Sequence, residues 1–149
     1  MSQLVEELRS DHIALKQALK QAANIKVPAI DRVAVLGQIK TALLDHLDKE
    51  NRELYPALRV AAECDLSLLR TMRTFAEDME AITKQAMEFF ETYHDPTRVA
   101  EQLNNNVYYL IQFGGDLERL VSLLGLRIGR EERILYPAYD RIAPNARGT

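Results

Sequence analysis

His46-Leu-Asp-Lys-Glu50-Asn-Arg-Glu-Leu-Tyr55-Pro56 occurs a second time in this chain, as Arg127-Ile-Gly-Arg-Glu131-Glu-Arg-Ile-Leu-Tyr136-Pro137. The glutamate, the Leu-Tyr-Pro and one arginine (Arg52, Arg133) recur at a constant offset, while histidine heads the first copy and arginine the second. His and Glu four apart on a helix lie on one face, about 6 Å along the axis, and can share a metal ion. Arginine does not give up its proton and cannot be a ligand. The duplication therefore predicts a two-metal helical bundle, and the substitution predicts that half of the metal site has gone.

Working outward, apolar spacing predicts four long helical segments. The first spans about Gln3 to Ala23, with Leu4, Leu8, His12, Leu15 and Leu19 on one stripe. Asp31 reads as the cap of the second, whose stripe is Leu36, Ile39, Leu43, His46, Glu50 and Leu54, with Pro56 kinking or ending it. Asp65 caps the third, with Leu68, Met72, Phe75, Met79, Ile82, Ala86 and Phe89 inward; Asp95-Pro96 starts a new segment. Thr97 to Phe113 reads as helix, Gly114-Gly115-Asp116 as a break and fresh cap. Leu117, Leu120, Leu124, Arg127, Glu131 and Ile134 form the last stripe. The domain is expected over 1–142, with an irregular tail over 143–149.

His12, His46, Glu50, Arg127 and Glu131 all fall on core-facing steps. Buried charges are costly unless paired or bound to a metal, so these five should meet inside the bundle. At this point the residues resemble the hemerythrin-like family, the His-His-Glu cation-binding four-helix bundles, over nearly the whole chain. Asp11-His12, His46-x-x-x-Glu50 and the following Tyr-Pro match that family's first half. The family repeats the pattern, with a histidine on the third helix and His-x-x-x-Glu on the fourth. Here Met79 stands at the third-helix histidine and Arg127 at the fourth, leaving Glu131 as the one surviving ligand position of that half.

The resemblance implies an antiparallel, up-down four-helix bundle. The step from Met79 to Arg127 is longer than that from His12 to His46, so the Thr97–Gly115 region should make an excursion, as an extra helix near 97–113 against the bundle end. Transferring ligands residue by residue leaves His12, His46, Glu50 and Glu131 around one ion at most. The donors suit Fe(II), Mn(II) or Zn(II), and iron is the ion the resemblance implies. Arg127 can reach between Glu50 and Glu131 and supply the charge of the lost ion. An alternative stays open: two glutamates, Arg127 and one protonated histidine sum to zero, so the core can be satisfied with no metal.

With 19 Lys+Arg against 22 Asp+Glu and a net charge of −3, the chain has no basic stripe and no nucleic-acid surface is expected. No stretch approaches the roughly 20 apolar residues of a membrane span. One cysteine, Cys64, excludes an internal disulfide and is expected to pack inertly. Neither a signal peptide nor a phosphate loop is evident, so a cytoplasmic protein is expected. Tyr108, Tyr109 and Phe113 read as packing residues, and Lys16, Lys20, Lys40, Lys49 and Arg119 as solvated charges. The expected function is non-catalytic: a degenerate hemerythrin-like protein binding at most one metal ion, an iron, oxygen or nitric-oxide responsive regulator and not a reversible oxygen carrier. The competing readings are a metal-free module that binds a protein partner, its core held by a buried Arg–Glu–His network, and a mononuclear iron oxidoreductase.

Overall fold

The Ser2 hydroxyl accepts a hydrogen bond from the Val5 amide at 3.2 Å, and this cap starts the first helix, α1, at Gln3–Ala23. The structure is a computed structural model that describes residues 2–142; the expected irregular tail, 143–149, lies outside the described residues. Helix α2 (Ala29–Lys49), a π-helical turn (Glu50–Leu54) and α3 (Tyr55–Ala62) follow head to tail as one rod. Next come α4 (Leu66–Thr92) and the short α5 (Pro96–Asn105). A last rod joins α6 (Val107–Arg130), a second π turn (Glu131–Leu135) and α7 (Tyr136–Ile142). Among the described residues there is no strand, and the fold is the expected all-helical bundle.

Cross-links show that neighbouring rods run antiparallel. Asp11 pairs with Lys49 near one end of α1, and the Arg32 Nε–H donates to the Ala22 carbonyl at 2.7 Å near the other. The pairs Asp78–Arg130 and Tyr93–Asp116 tie α4 to α6 in the same sense. Ser2 N–H to Asp140 and Arg9 to Glu132 do so for α1 and the last rod. The apolar stripes meet in one core, with Phe89, Phe90, Tyr93 and Phe113 forming an aromatic cluster toward one end.

Both π turns begin at the repeated glutamates and stop just before the repeated Tyr-Pro. A proline inside an α-helix lacks its N–H and clashes with the carbonyl four residues back. Widening the helix by one residue ahead of the ring lets the rod continue, so Pro56 does not end it. The amides of Tyr55 and Tyr136 bond to the carbonyls of Glu50 and Glu131, five residues back. On an α-helix a residue five places on lies about 140° around the axis, whereas the i→i+5 ring returns it toward the face of its partner. The stripe shifts accordingly: Leu135 is fully buried, while Ile134, expected inward, is 40% exposed.

Five further expectations are corrected. Helix α2 starts at Ala29 with Pro28 in the cap position, so Asp31 lies in its first turn instead of capping it. The extra helix is confirmed as α5, which packs on α2 and α6, but the break after it falls at Asn106. That side chain accepts from the Tyr108 and Tyr109 amides, and α6 runs unbroken through Gly114-Gly115. An asparagine with extended backbone, whose side chain caps the next helix, breaks the helical path better than two exposed glycines in mid-helix. Asp116, expected as a cap, instead accepts from the Tyr93 hydroxyl at 2.6 Å. Cys64 and Tyr108 are exposed and do not pack.

A Cβ at Gly114 or Gly115 would meet nothing within 4 Å. Since both sit in mid-helix, Gly114→Ala and Gly115→Ala are expected to stabilise by about 0.5–1 kcal/mol each. Chemical denaturation checks this; destabilisation would mean that the glycines form a turn.

Candidate metal centre

Halfway along the bundle, four helical elements each deliver side chains to one buried cluster. Helix α1 brings His12, α2 ends with His46, and the π turns begin with Glu50 and Glu131; all four are at most 2% exposed. The two Nε2 atoms are 3.2 Å apart. Glu131 Oε1 lies 3.4 Å from His12 Nε2, and its Oε2 lies 3.9 Å from His46 Nε2. Glu50 Oε2 lies 3.5 Å from His46 Nε2. His12, His46 and Glu131 each offer one ligand atom, all within 4.8 Å of one another. Two imidazoles and a carboxylate form a donor set that fits one divalent first-row ion.

The supporting shell sharpens that fit. His46 Nδ1–H donates to Asp11 Oδ2 at 2.8 Å, leaving Nε2 directed at the cluster, and Lys49 Nζ holds the same oxygen at 3.0 Å. A carboxylate behind a ligating histidine fixes its tautomer and raises its basicity. Lys49, expected as a solvated charge, is thereby half-buried in the site's support. His12 Nδ1 is buried without a hydrogen-bond partner, 3.7 Å from Glu132 Oε1.

The other half of the site is a cation of the protein's own. Arg127, 4% exposed, donates from Nη2 to Glu50 Oε1 at 3.2 Å and from Nε to Glu131 Oε1 at 3.4 Å. Its Nη1 donates to Thr83 Oγ at 2.9 Å. Met79 is buried, and with Arg127, Thr83, Asn51, Tyr55 and Arg59 it lines a cleft of about 270 Å³ on this side. No nitrogen or oxygen ligand stands at either 79 or 127, so the donor set does not fit a second ion there.

Two tyrosines complete the cluster, and sequence reasoning missed both. The Tyr136 hydroxyl, wholly buried, is 3.1 Å from His12 Nε2, 3.5 Å from His46 Nε2, 3.1 Å from Glu50 Oε2 and 3.4 Å from Glu131 Oε2. Tyr55 sits in the Arg127 half, where burial and then the charge of Glu50 push its hydroxyl up. The repeated Leu-Tyr-Pro was the available signal, but α-helical counting turns the tyrosine away from the glutamate. Asp11 was seen beside His12 without its pairing to His46.

Charge within the cluster is tightly coupled. Burial alone would lower the His46 imidazolium, but hydrogen bonds to Glu131 and Glu50, with the charges of both, raise it from 6.5 to about 10. Burial, then Glu131, pushes Glu50 up to about 7. Glu131 is held well below 4.5: hydrogen bonds from Glu50, His12 and His46 and the charge of Arg127 outweigh its burial.

A model of the hemerythrin HHE cation binding domain matches residues 3–139. No curated protein and no solved structure matches the chain.

Both raised groups carry the same stability sign. Without metal, what His46 contributes is full below about pH 6.5 and lost as pH rises through about 10. The Glu50 contribution is full below 4.5 and lost on rising through about 7. In chelator, the thermal midpoint is expected to fall between pH 6 and pH 10, and His46→Gln to flatten the upper part of that slope. A midpoint flat or rising across this window contradicts the reading.

Proposed function

The chain belongs to the hemerythrin HHE cation-binding family, and from that premise we propose that it binds a single metal ion, iron, between His12, His46 and Glu131, with Glu50 at the edge. The observation that carries this is the convergence of two imidazole nitrogens and a carboxylate oxygen within 4.8 Å, with Asp11 behind His46. Within the cluster the imidazoles hold the ion, Glu131 and Glu50 balance its charge, and Asp11 keeps the His46 tautomer. When bound, iron supplies a centre whose oxidation state and open positions respond to iron supply, oxygen or nitric oxide.

The role is that of a non-catalytic sensor or regulator that acts on a protein partner. Reversible oxygen carriage in this family rests on two irons sharing the reduction of oxygen, and Arg127 and Met79 leave room for one. Among the described residues, no helix is long and apolar enough to cross a membrane. A second reading is favoured by a specific observation: the Arg127 guanidinium already bonds both carboxylates, and a protonated His46 balances the remaining charge. On that reading the bundle is metal-free and serves as an interaction module.

Metal analysis of protein expressed with added iron separates the two. About one equivalent is expected, lost in His46→Ala; no metal at any supply, with a thermal midpoint unmoved by chelator, supports the interaction module. Asp11→Ala is expected to weaken metal affinity by about 10- to 100-fold through its support of His46. Unchanged affinity would remove Asp11 from the site.

The worn half can also be rebuilt. Met79→His with Arg127→His restores two imidazoles to that half and is expected to raise the metal content to about two equivalents. A folded double variant that still holds one would count against the proposed ancestry of the site.

A further inference from the structure

We propose that Tyr136 is itself a ligand, its phenolate oxygen binding the same ion as His12, His46 and Glu131. This rests on the one-metal reading above and names a fourth donor for it.

Geometry distinguishes a ligand from a plug. A hydroxyl that filled the ion's own place would sit at the centre of the donors. With contacts of 3.1 to 3.5 Å to each, those donors would then stand far wider apart than they do. They are instead 3.2 Å (His12–His46), 3.4 Å (His12–Glu131 Oε1) and 3.9 Å (His46–Glu131 Oε2) from one another, and lie within 4.8 Å when each residue offers a single atom. The Tyr136 oxygen is therefore a corner of the figure. Four corners roughly 3.4 Å apart would enclose a centre about 2.1 Å from each, the length of a bond from a first-row ion to imidazole or carboxylate, and a small turn of the Glu131 carboxylate to present one oxygen to both histidines brings this looser figure to that size. The cluster has the dimensions of a tetrahedral shell, and the tyrosine supplies its fourth corner.

The ring is also held in place for this purpose. It stacks on the His12 imidazole with centroids 5.5 Å apart and 20° between planes, and the Arg9 guanidinium lies 5.9 Å from its centroid. The π turn at Glu131–Leu135 is what brings Tyr136 onto the face of Glu131. Charge points the same way. A ferric ion with Glu50, Glu131 and Arg127 leaves two positive charges in a buried site; a phenolate reduces that to one, and burial penalises the excess. Ligation forms one Fe–O bond and breaks the phenol O–H bond, the proton leaving to solvent; no electron moves, and the ferric ion stays ferric. A bound cation makes such a deprotonation favourable, as it does for a coordinating thiol.

The experiment loads the whole protein with ferric ion and records its visible and resonance Raman spectra, with metal content measured on the same samples. A phenolate-to-iron charge-transfer band with tyrosinate vibrations is expected, abolished by Tyr136→Phe with iron still bound and kept in Tyr55→Phe. Iron-loaded protein without tyrosinate vibrations, or with a band that survives Tyr136→Phe, overturns the proposal and leaves the one-metal reading standing. Absence of bound iron from the unmodified, folded protein overturns both. Should Tyr136→Phe fail to fold, the unmodified and Tyr55→Phe spectra decide: tyrosinate vibrations in both support Tyr136, and their loss with Tyr55→Phe overturns it.

Discussion

Two carboxylates buried at the centre of a helical bundle are the constraint to which the rest of this structure answers. Glu50 and Glu131 are 0% and 1% exposed. A charge so placed is tolerated only with compensation, through a partner, a metal or a retained proton. Among the described residues, the buried polar side chains at the middle of the bundle pack against one or both of these two. The imidazoles approach from α1 and α2, the guanidinium from α6, and the tyrosine hydroxyl from the start of α7. The apolar stripes above and below supply the burial energy, but they are interchangeable in a way that the central layer is not.

The duplication explains why the same local device appears twice and does different work. Each copy of the motif widens into a π turn at its glutamate and turns its tyrosine inward. Because the two copies lie on different rods of the bundle, the tyrosines cross over. Tyr136, from the second copy, joins the histidines of the first half, while Tyr55, from the first copy, lies with Arg127 in the second half. The asymmetry of the site is therefore one of two pairs of positions, His46 against Arg127 and His12 against Met79, set on a frame that repeats the π turn and its tyrosine.

The bundle and most of its core were legible because apolar spacing over long helices is a redundant signal. Leu4, Leu8, Leu15 and Leu19, or Phe75, Ile82, Ala86 and Phe89, can be read with any one of them removed. The meeting of His12, His46, Glu50, Glu131 and Arg127 was legible for a related reason, since polar residues on such a stripe have to find each other. What stayed hidden depended on a single residue or on pairing across rods. The π turns insert one residue into a period of 3.6, and that displaced Ile134 and concealed Tyr136. Asn106 outcompeted Gly114-Gly115 as a break because its side chain caps α6, a local contest that composition does not decide. Asp11 and His46 are distant in sequence, and nothing in α1 alone marks the aspartate as a partner of α2.

The replacement at 127 preserves more of a two-cation site than its loss of ligands suggests. Glu50 turns Oε1 toward the guanidinium and Oε2 toward the His46 and Tyr136 side. Glu131 likewise spans the two halves, with Arg127 on Oε1 and Tyr136 on Oε2. Each carboxylate therefore faces the guanidinium on one side and the imidazoles on the other, with Glu131 Oε1 within 3.4 Å of both Arg127 Nε and His12 Nε2. The planar fork of arginine can make such contacts at once, which a lysine point charge cannot. The guanidinium is a covalent, permanent cation, so the two carboxylates keep this partner whatever the metal supply. On the proposed one-metal reading, the remaining position would gain or lose its ion while the opposite wall of the site holds still, the behaviour a single-ion sensor requires.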